Sequence, residues 1–438
     1  MREGEPAVTL PKATGSAVAA AVPDGGPAPA PTPWLVRRLF PLLATFCLAV
    51  IGMVVTTWSG PAIAGRTTWS LPVDLWGTLV AGQRFAHLDL AGLYTQPTGL
   101  VSLPGAAVIL VPVAALISAA GLTLQVPGPH NVNPPVWLLA GPYQIAVSCI
   151  TLFAADAIAE RLGATRLKRA MLAAAGAVTL WNVSVLWGHP EDPVAVGLLL
   201  FGLLALADGR AGRSAWLTGA AVAVQPLVLL ALPVILMLIR PRQVPGYLAR
   251  AAAPSVVLLA AAAAANWSAT VHAVTSQPNW PTVDHPTPWM ALAPHLSGGA
   301  VAAGPARILS IVVACGCAFA AGRNRWRDAR HHPPWSPETL EDVLWWVAVA
   351  LALRSVFEPV MVAYYIWPVL AVALIPASRS WPRLLATTAV TATLTFVSQA
   401  TWRGEWTWWG PMVAGLFVTL VLAGVPRARR LDALVTRG

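Results

Sequence analysis

The chain has 438 residues, of which 57% are hydrophobic and only 11% charged, against about 25% charged in ordinary soluble domains. So little charge cannot clothe a water-soluble globule of this size, which excludes a soluble enzyme of two or three domains and points to a polytopic membrane protein. The net charge of +10 comes from 26 Arg and 2 Lys, and these sit in short segments between apolar runs, the positive-inside pattern of a membrane protein rather than a nucleic-acid-binding surface.

In chain order, residues 1–33 are rich in Pro and Ala and show neither an early apolar core nor a small-residue cleavage site. They read as a disordered cytoplasmic tail rather than a signal peptide. A spanning helix needs roughly 20 apolar residues. Candidate runs follow at 36–57, 104–122, 135–158, 170–187, 194–208, 214–239, 254–267, 305–322, 338–354, 360–376, 384–402 and 408–425, all within one membrane domain of residues 34–425, and a basic cytoplasmic tail closes the chain at 426–438. Cys47, Cys149, Cys315 and Cys317 lie in or beside apolar runs and are expected as free thiols, with neither a disulfide framework nor a zinc site.

Charge selects which runs cross. Arg37/Arg38, Arg161/Arg166/Lys168/Arg169, Arg210/Arg213, Arg240/Arg242/Arg250, Arg323/Arg325/Arg327/Arg330, Arg379/Arg383 and Arg427/Arg429/Arg430 are all assigned to the cytoplasmic side, leaving Arg66, Arg84, Arg307, Arg354 and Arg403 outside. Parity then requires two runs not to cross. The 104–122 run is expected to be interfacial or re-entrant. The 214–239 run starts after Arg213, ends at Arg240 and is broken at Gln225-Pro226, so it should be a re-entrant pair whose break faces protein or a wet cavity. The expected fold is an all-α polytopic membrane protein with about ten transmembrane helices plus re-entrant or interfacial helices, and with both termini cytoplasmic. Its long outside loops cover 58–134 and 268–304. No internal repeat suggests a transporter with duplicated halves.

Carboxylates assigned outside are few: Asp74, Asp89, Glu191, Asp192, Asp284, Glu358 and Glu405. A carboxylate held near the bilayer is costly and marks a functional candidate. The first outside loop carries Asp74 on a segment with apolar residues at helical spacing, then Arg84, His87, Asp89 and Tyr94. Asp74 could equally cap an interfacial helix. The turn Trp187-Gly-His-Pro-Glu-Asp-Pro193 crowds His189, Glu191 and Asp192 into four positions, more ionisable groups than a turn needs. A divalent cation on these three is the alternative to direct substrate contact; otherwise no metal or cofactor is expected. Arg354 could grip a phosphate, or pair with Glu358 one helical turn on; Tyr364 and Tyr365 follow. In the second loop His272, Trp280, Asp284, His285, Trp289 and His295 could stack on a sugar and hydrogen-bond it.

An acidic residue soon after the first helix, the Asp74-x-Trp and Ala81-Gly-x-x-Phe85 spacing up to Tyr94, the Gly-His-Pro-Glu-Asp turn at 188–192, the run 197–210 ending Asp-Gly-Arg, and the Gln225-Pro226 step resemble integral-membrane GT-C glycosyltransferases. The resemblance covers residues 36–240 and returns at 354–370, and it is closest to actinobacterial polyprenyl-phosphate-sugar-dependent enzymes, mannosyltransferases of glycolipid synthesis among them. It implies a multi-pass protein of the bacterial plasma membrane with its active site on the outer face. Asp74 would be the general base on the acceptor hydroxyl, and Glu191 and Asp192 a second acidic site orienting donor or acceptor. This chain has Gln96-Pro97 where the family often has Tyr-Pro-Pro after the first-loop Tyr, and Gln225 where many relatives carry Lys.

The implied partners are a polyprenyl phosphate donor carrying mannose or another hexose or pentose, a glycolipid or glycan acceptor, and membrane lipids; no nucleic acid is expected. Tyr94, His87, Asp89, His189, His285, Glu358 and Tyr365 are candidate substrate contacts, with Arg354 or Arg84 on the leaving phosphate. A lipid-carrier flippase and a non-catalytic envelope scaffold are the competing classes. A transporter should carry charge at mid-membrane, whereas here the acids gather at helix ends.

Overall fold

A computed structural model of the chain describes residues 34–58, 69, 71–95, 100, 102–126, 133–402 and 404–424. The tails at 1–33 and 426–438 lie outside the described residues, as do Arg66, Gln96, Pro97 and Arg403. Up to Arg37 the described chain is one helical turn, α1 (Trp34–Arg37), in a unit of its own; the main unit begins at Arg38.

The main unit is helical almost throughout. Its first half runs α2 (Leu39–Trp58), α3 (Val73–Ala86), α4 (Gly105–Val108), α5 (Val111–Ala119), α6 (Pro134–Ser148), α7 (Ile150–Arg161), α8 (Arg166–Leu180), α9 (Glu191–Ala207), α10 (Ala211–Val224) and α11 (Leu232–Leu236). The second half runs α12 (Val244–Ala265), α13 (Trp267–Ser276), α14 (Gly304–Arg325), α15 (Arg327–His331), α16 (Pro337–Phe357), α17 (Trp367–Ala377), α18 (Trp381–Val397) and α19 (Trp409–Gly424). A two-residue antiparallel ladder joins β1 (His285–Pro286) to β2 (Val360–Met361). Among the described residues, five stretches are long and apolar enough to cross a membrane: Leu39–Trp58, Pro134–Arg161, Arg166–Leu186, Pro241–Ala265 and Gly304–Arg323.

Three apolar runs are not single helices. The 104–122 run, expected not to cross, is two short helices of 4 and 9 residues, parted at Ile109-Leu110. At 1.5 Å per residue the longer reaches only about 14 Å, short of a membrane core of about 30 Å, and it packs on α3 instead. The 254–267 run is the second half of a helix that begins at Val244 and carries Arg250 and Pro254 within it. The 360–376 run opens as strand β2 and a tight 3-10 turn, Ala363–Ile366, leaving only 11 residues to α17.

The 214–239 run is broken where its Pro falls. Gln225 is extended (φ −148°, ψ 114°) and a 3-10 turn, Pro226–Ala231, follows, because the proline ring crowds an α conformation out of the preceding residue.

Arginine-rich segments meet one another at one end of the bundle. Lys168 donates to the Arg379 carbonyl at 2.8 Å, Arg240 to those of Arg330 and His331, and Arg383, Arg379 and Arg325 pair with Glu341, Glu338 and Asp342. There, buried Asp156 accepts from Arg38 at 2.8 Å and Arg169 at 2.6 Å. Removing the shared anion leaves both guanidiniums with Glu160, 2.7 Å from Arg38 and 3.6 Å from Arg169, a loss bounded by the roughly 3–5 kcal/mol of a broken buried pair. Asp156→Asn should therefore lower the melting temperature of the detergent-solubilised protein, and an unchanged melting curve would contradict this role. From this end, residues 166–186, 21 in all, span about 30 Å, which sets the turn at 187–190 at the far end.

Candidate functional site

The far end is shaped by one irregular turn. Residues Trp181–Leu186 form a wide π turn, a feature that often accompanies function. It lets the chain fold back, with the Trp187 amide on the Asn182 carbonyl and the His189 amide on the Val183 carbonyl at 2.9 and 2.8 Å. Gly188 takes φ +66°, and a Cβ there would come within 2.8 Å of Pro72. Only glycine allows both the left-handed backbone and this approach, and the approach brings the first turn of α3, with Asp74, against His189.

His189 is consequently gripped on three sides. Its Nε2 is 2.8 Å from Asp74 Oδ2 and its Nδ1 2.6 Å from Glu191 Oε1, and its ring stacks on Tyr364 with centroids 4.3 Å apart. Burial disfavours the imidazolium, but the charges and hydrogen bonds of Glu191 and Asp74 outweigh it and hold His189 protonated well above the usual histidine range. Burial likewise pushes the Asp74 carboxyl up, and the His189 charge and hydrogen bond more than reverse this, leaving it below the ordinary carboxylate range. The Asp74 side chain remains half exposed.

Glu191 and Asp192 occupy the first turn of α9, where the helix dipole favours negative charge. Asp192 accepts from Gln225 Nε2 at 2.7 Å, so the break between α10 and α11 is anchored to the acidic turn. A cavity of about 280 Å³ lies beside them, lined by His189, Glu191, Gln225 and Pro226, by Gln277 and Asn279 of the second loop, and by Arg307, Arg354, Glu358, Tyr364 and Tyr365. The proline break thus opens onto a cavity. Leu229 and Ile311, 43% and 49% exposed, form part of its wall.

Arg354 and Glu358 do not pair. The Arg354 guanidinium lies over the Tyr365 ring, 3.7 Å from its centroid, and Glu358 is instead bonded by Arg307, which also donates to Gln277 at 2.7 Å. Among the described residues, three buried polar atoms in or beside the cavity wall have no hydrogen-bond partner: Arg354 Nη1, Glu191 Oε2 and Asp192 Oδ2. Unpaired buried polar atoms are costly in a folded protein, and this set offers one charged donor and two carboxylate acceptors, the complement of a ligand carrying hydroxyls and an anionic group.

Of the residues singled out in the sequence, His189, Glu191, Arg354, Glu358 and Tyr365 line the cavity, and Asp74 and Asp192 are held beside it by His189 and Gln225. Others do not reach the cavity. Arg84 is spent on its own loop, bonded to the Gly92 carbonyl and to Thr95 at 2.8 Å, and Asp89 caps the same loop by accepting from the Gly92 amide. His87 is exposed at the end of α3. Tyr94 stands one step back, donating to the carbonyl of Ser102, a cavity residue. His285 stacks on Trp408 at 4.3 Å, between strand pair and α19. Sequence reading passed over Arg307, Gln225, Gln277, Asn279 and Tyr364 as ligand groups. Arg307 carried a usable signal: it is one of five basic residues assigned outside, the rarity that marked Arg354.

Among the described residues, no group of three or more His, Cys, Asp and Glu side chains is arranged to hold a metal ion. The turn's own histidine has both nitrogens engaged by carboxylates. No family model matches the chain, and no curated protein matches it.

Proposed function

We propose that the protein is a membrane glycosyltransferase that moves a sugar, mannose or another hexose or pentose, from a polyprenyl phosphate donor to a glycolipid or glycan acceptor. In this reading about ten segments cross the bacterial plasma membrane, following the positive-inside bias; both termini and the arginine-rich end are cytoplasmic, and the cavity opens on the outer face. The observation that carries it is the pair of residues lining the cavity that each keep an unpartnered atom among the described residues, Arg354 Nη1 for an anion and Glu191 Oε2 for a hydroxyl, with Asp192 and the half-exposed, ionised Asp74 beside them.

Outside the cytoplasm no nucleotide sugars are supplied, so the activated sugar arrives on a lipid carrier whose phosphate lies at headgroup level. The acceptor oxygen attacks the anomeric carbon while the bond from that carbon to the phosphate oxygen breaks. The bonding electrons leave with the phosphate, which needs no proton, so one base suffices, and Asp74 takes the hydroxyl proton. Arg354 offsets the charge gathering on the departing phosphate. Attack from the opposite face inverts the anomeric centre. The exposed apolar wall at Leu229 and Ile311 suits a donor whose tail stays in lipid while its headgroup enters sideways.

The experiment is transfer from polyprenyl-phosphate-linked radiolabelled mannose to lipid acceptors in membranes holding the full chain. Label appearing in a new glycolipid supports the reading. Label carried across the bilayer unchanged, with no new product, would favour a flippase and reject it. Because His189 is fully engaged, EDTA should leave transfer unaffected; complete loss on chelation, restored by a divalent cation, would turn the 189–192 turn into a metal site.

A further inference from the structure

Both hydrogen-bonding atoms of the His189 ring are already used within the protein. Its two ring nitrogens are taken by Glu191 and Asp74, and one ring face is covered by Tyr364. Asp74, by contrast, keeps half its side chain open. We infer that His189 is a positioning residue: it binds no substrate, but holds the Asp74 carboxylate through Nε2 and fixes the direction in which that carboxylate points. This rests on the reading of Asp74 as the base.

The surroundings explain why a cation is needed there. His189 is faced by Asp74 from α3, by Glu191 and, beyond it, Asp192 from α9, and by the Tyr364 phenol from the 3-10 turn before α17. Arg354 acts from α16 on Asp192. Three carboxylates share one small volume, and burial and mutual repulsion both favour protonating one of them. The one placed to receive a substrate proton must not be the one that is neutralised. A histidine bonded at both nitrogens by carboxylates meets this need: Glu191 helps it to stay charged, and the charge is delivered to Asp74 through Nε2.

The sign of the pH effect follows. Transfer requires ionised Asp74, which exists above its pKa. With His189 charged, that pKa lies below the ordinary carboxylate range, so the acid limb of the wild-type rate lies below that of an ordinary carboxylate base. Without the charge, burial acts unopposed, the pKa rises, and activity is lost from the acidic side first.

The test uses kcat against pH for mannosyl transfer from polyprenyl-phosphate-linked mannose by the full chain in membranes. In His189→Gln the acid limb should move up by about one pH unit or more, with the rate largely recovered at alkaline pH and the donor KM within about threefold of wild type. His189→Lys, which keeps a cation, should leave the limb near its original place. If the Gln variant does not accumulate folded, His189→Asn provides the same neutral comparison. A fall in rate that is equal at all pH values, an unmoved limb, or a raised KM with kcat intact would overturn the inference. Transfer retained by Asp74→Asn would instead remove Asp74 from the chemistry, and with it the reading on which the inference rests. Loss in Asp74→Asn together with an unmoved limb in His189→Gln removes only the role given to His189.

Discussion

Replacing Asp74 by Asn should reduce sugar transfer by about 10²–10⁴-fold, the contribution typical of a positioned general base, while the protein accumulates in the membrane and melts as wild type does. The size follows from what the substitution leaves in place. The amide has nearly the shape of the carboxylate, and His189 can still donate to its oxygen, so the turn at 187–190 keeps its packing on Pro72 and Leu75. Only the capacity to take a proton is lost. Because the lost step belongs to the transition state, kcat should fall and donor KM should change little. The measurement is the initial rate of mannosyl transfer in membranes with matched protein levels; a variant within about threefold of wild type would show that another group accepts the proton.

Replacing Arg354 by Gln should lower kcat/KM for the polyprenyl phosphate donor by about 10²–10³-fold, corresponding to 2.7–4 kcal/mol for a lost preorganised donor on a developing anion. Arg354 is preset for this work: its guanidinium is laid flat on Tyr365, while Nη1 is buried without a partner. Arg354→Lys should recover only part of the loss, since an ammonium lacks the planar fork that meets two phosphate oxygens and the face that stacks on the ring. Acceptor KM should be little changed. An Arg354→Gln variant with undiminished donor use would assign the phosphate to Arg307, the second arginine lining the cavity.

The parts of the molecule that the sequence made legible are those governed by local rules. Apolar length marked α2, α14 and α16, and the Gln225-Pro226 break followed from proline sterics. The crowding of ionisable residues at 189–192 marked the acidic turn. What stayed hidden depends on contacts far apart in the chain. Nothing local shows that Asp74 and His189, 115 residues apart, would bond, or that Glu358 would turn from Arg354, one helical turn away, to Arg307 on another helix. The i, i+4 rule names the nearer partner, but Tyr365 draws Arg354 onto its ring and leaves Glu358 to the cation at the start of α14. Arg84 failed as a site residue for the same reason in reverse: its charge is used by the carbonyl of a loop eight residues on.

The same contrast separates the two ends of the bundle. At the arginine-rich end, carboxylates and guanidiniums are paired to each other, as at Asp156, and the charges serve the fold. Among the described residues, buried polar atoms without a partner occur at both ends, Arg330 Nε and Arg379 Nη1 at the arginine-rich one, but only at the cavity end do they include carboxylate oxygens, on Glu191 and Asp192. That difference, more than the presence of any one residue, is what distinguishes a reactive site from a structural one.

The most direct test is a cryo-EM structure of the Asp74→Asn variant in lipid nanodiscs with polyprenyl-phosphate-linked mannose. The account predicts the phosphate within hydrogen-bonding distance of Arg354, the sugar hydroxyls on Glu191 and Asp192, the anomeric carbon turned toward position 74, and the lipid tail leaving past Leu229 and Ile311. A donor seated among the arginines around Asp156, or a cavity left empty under saturating donor, would contradict it.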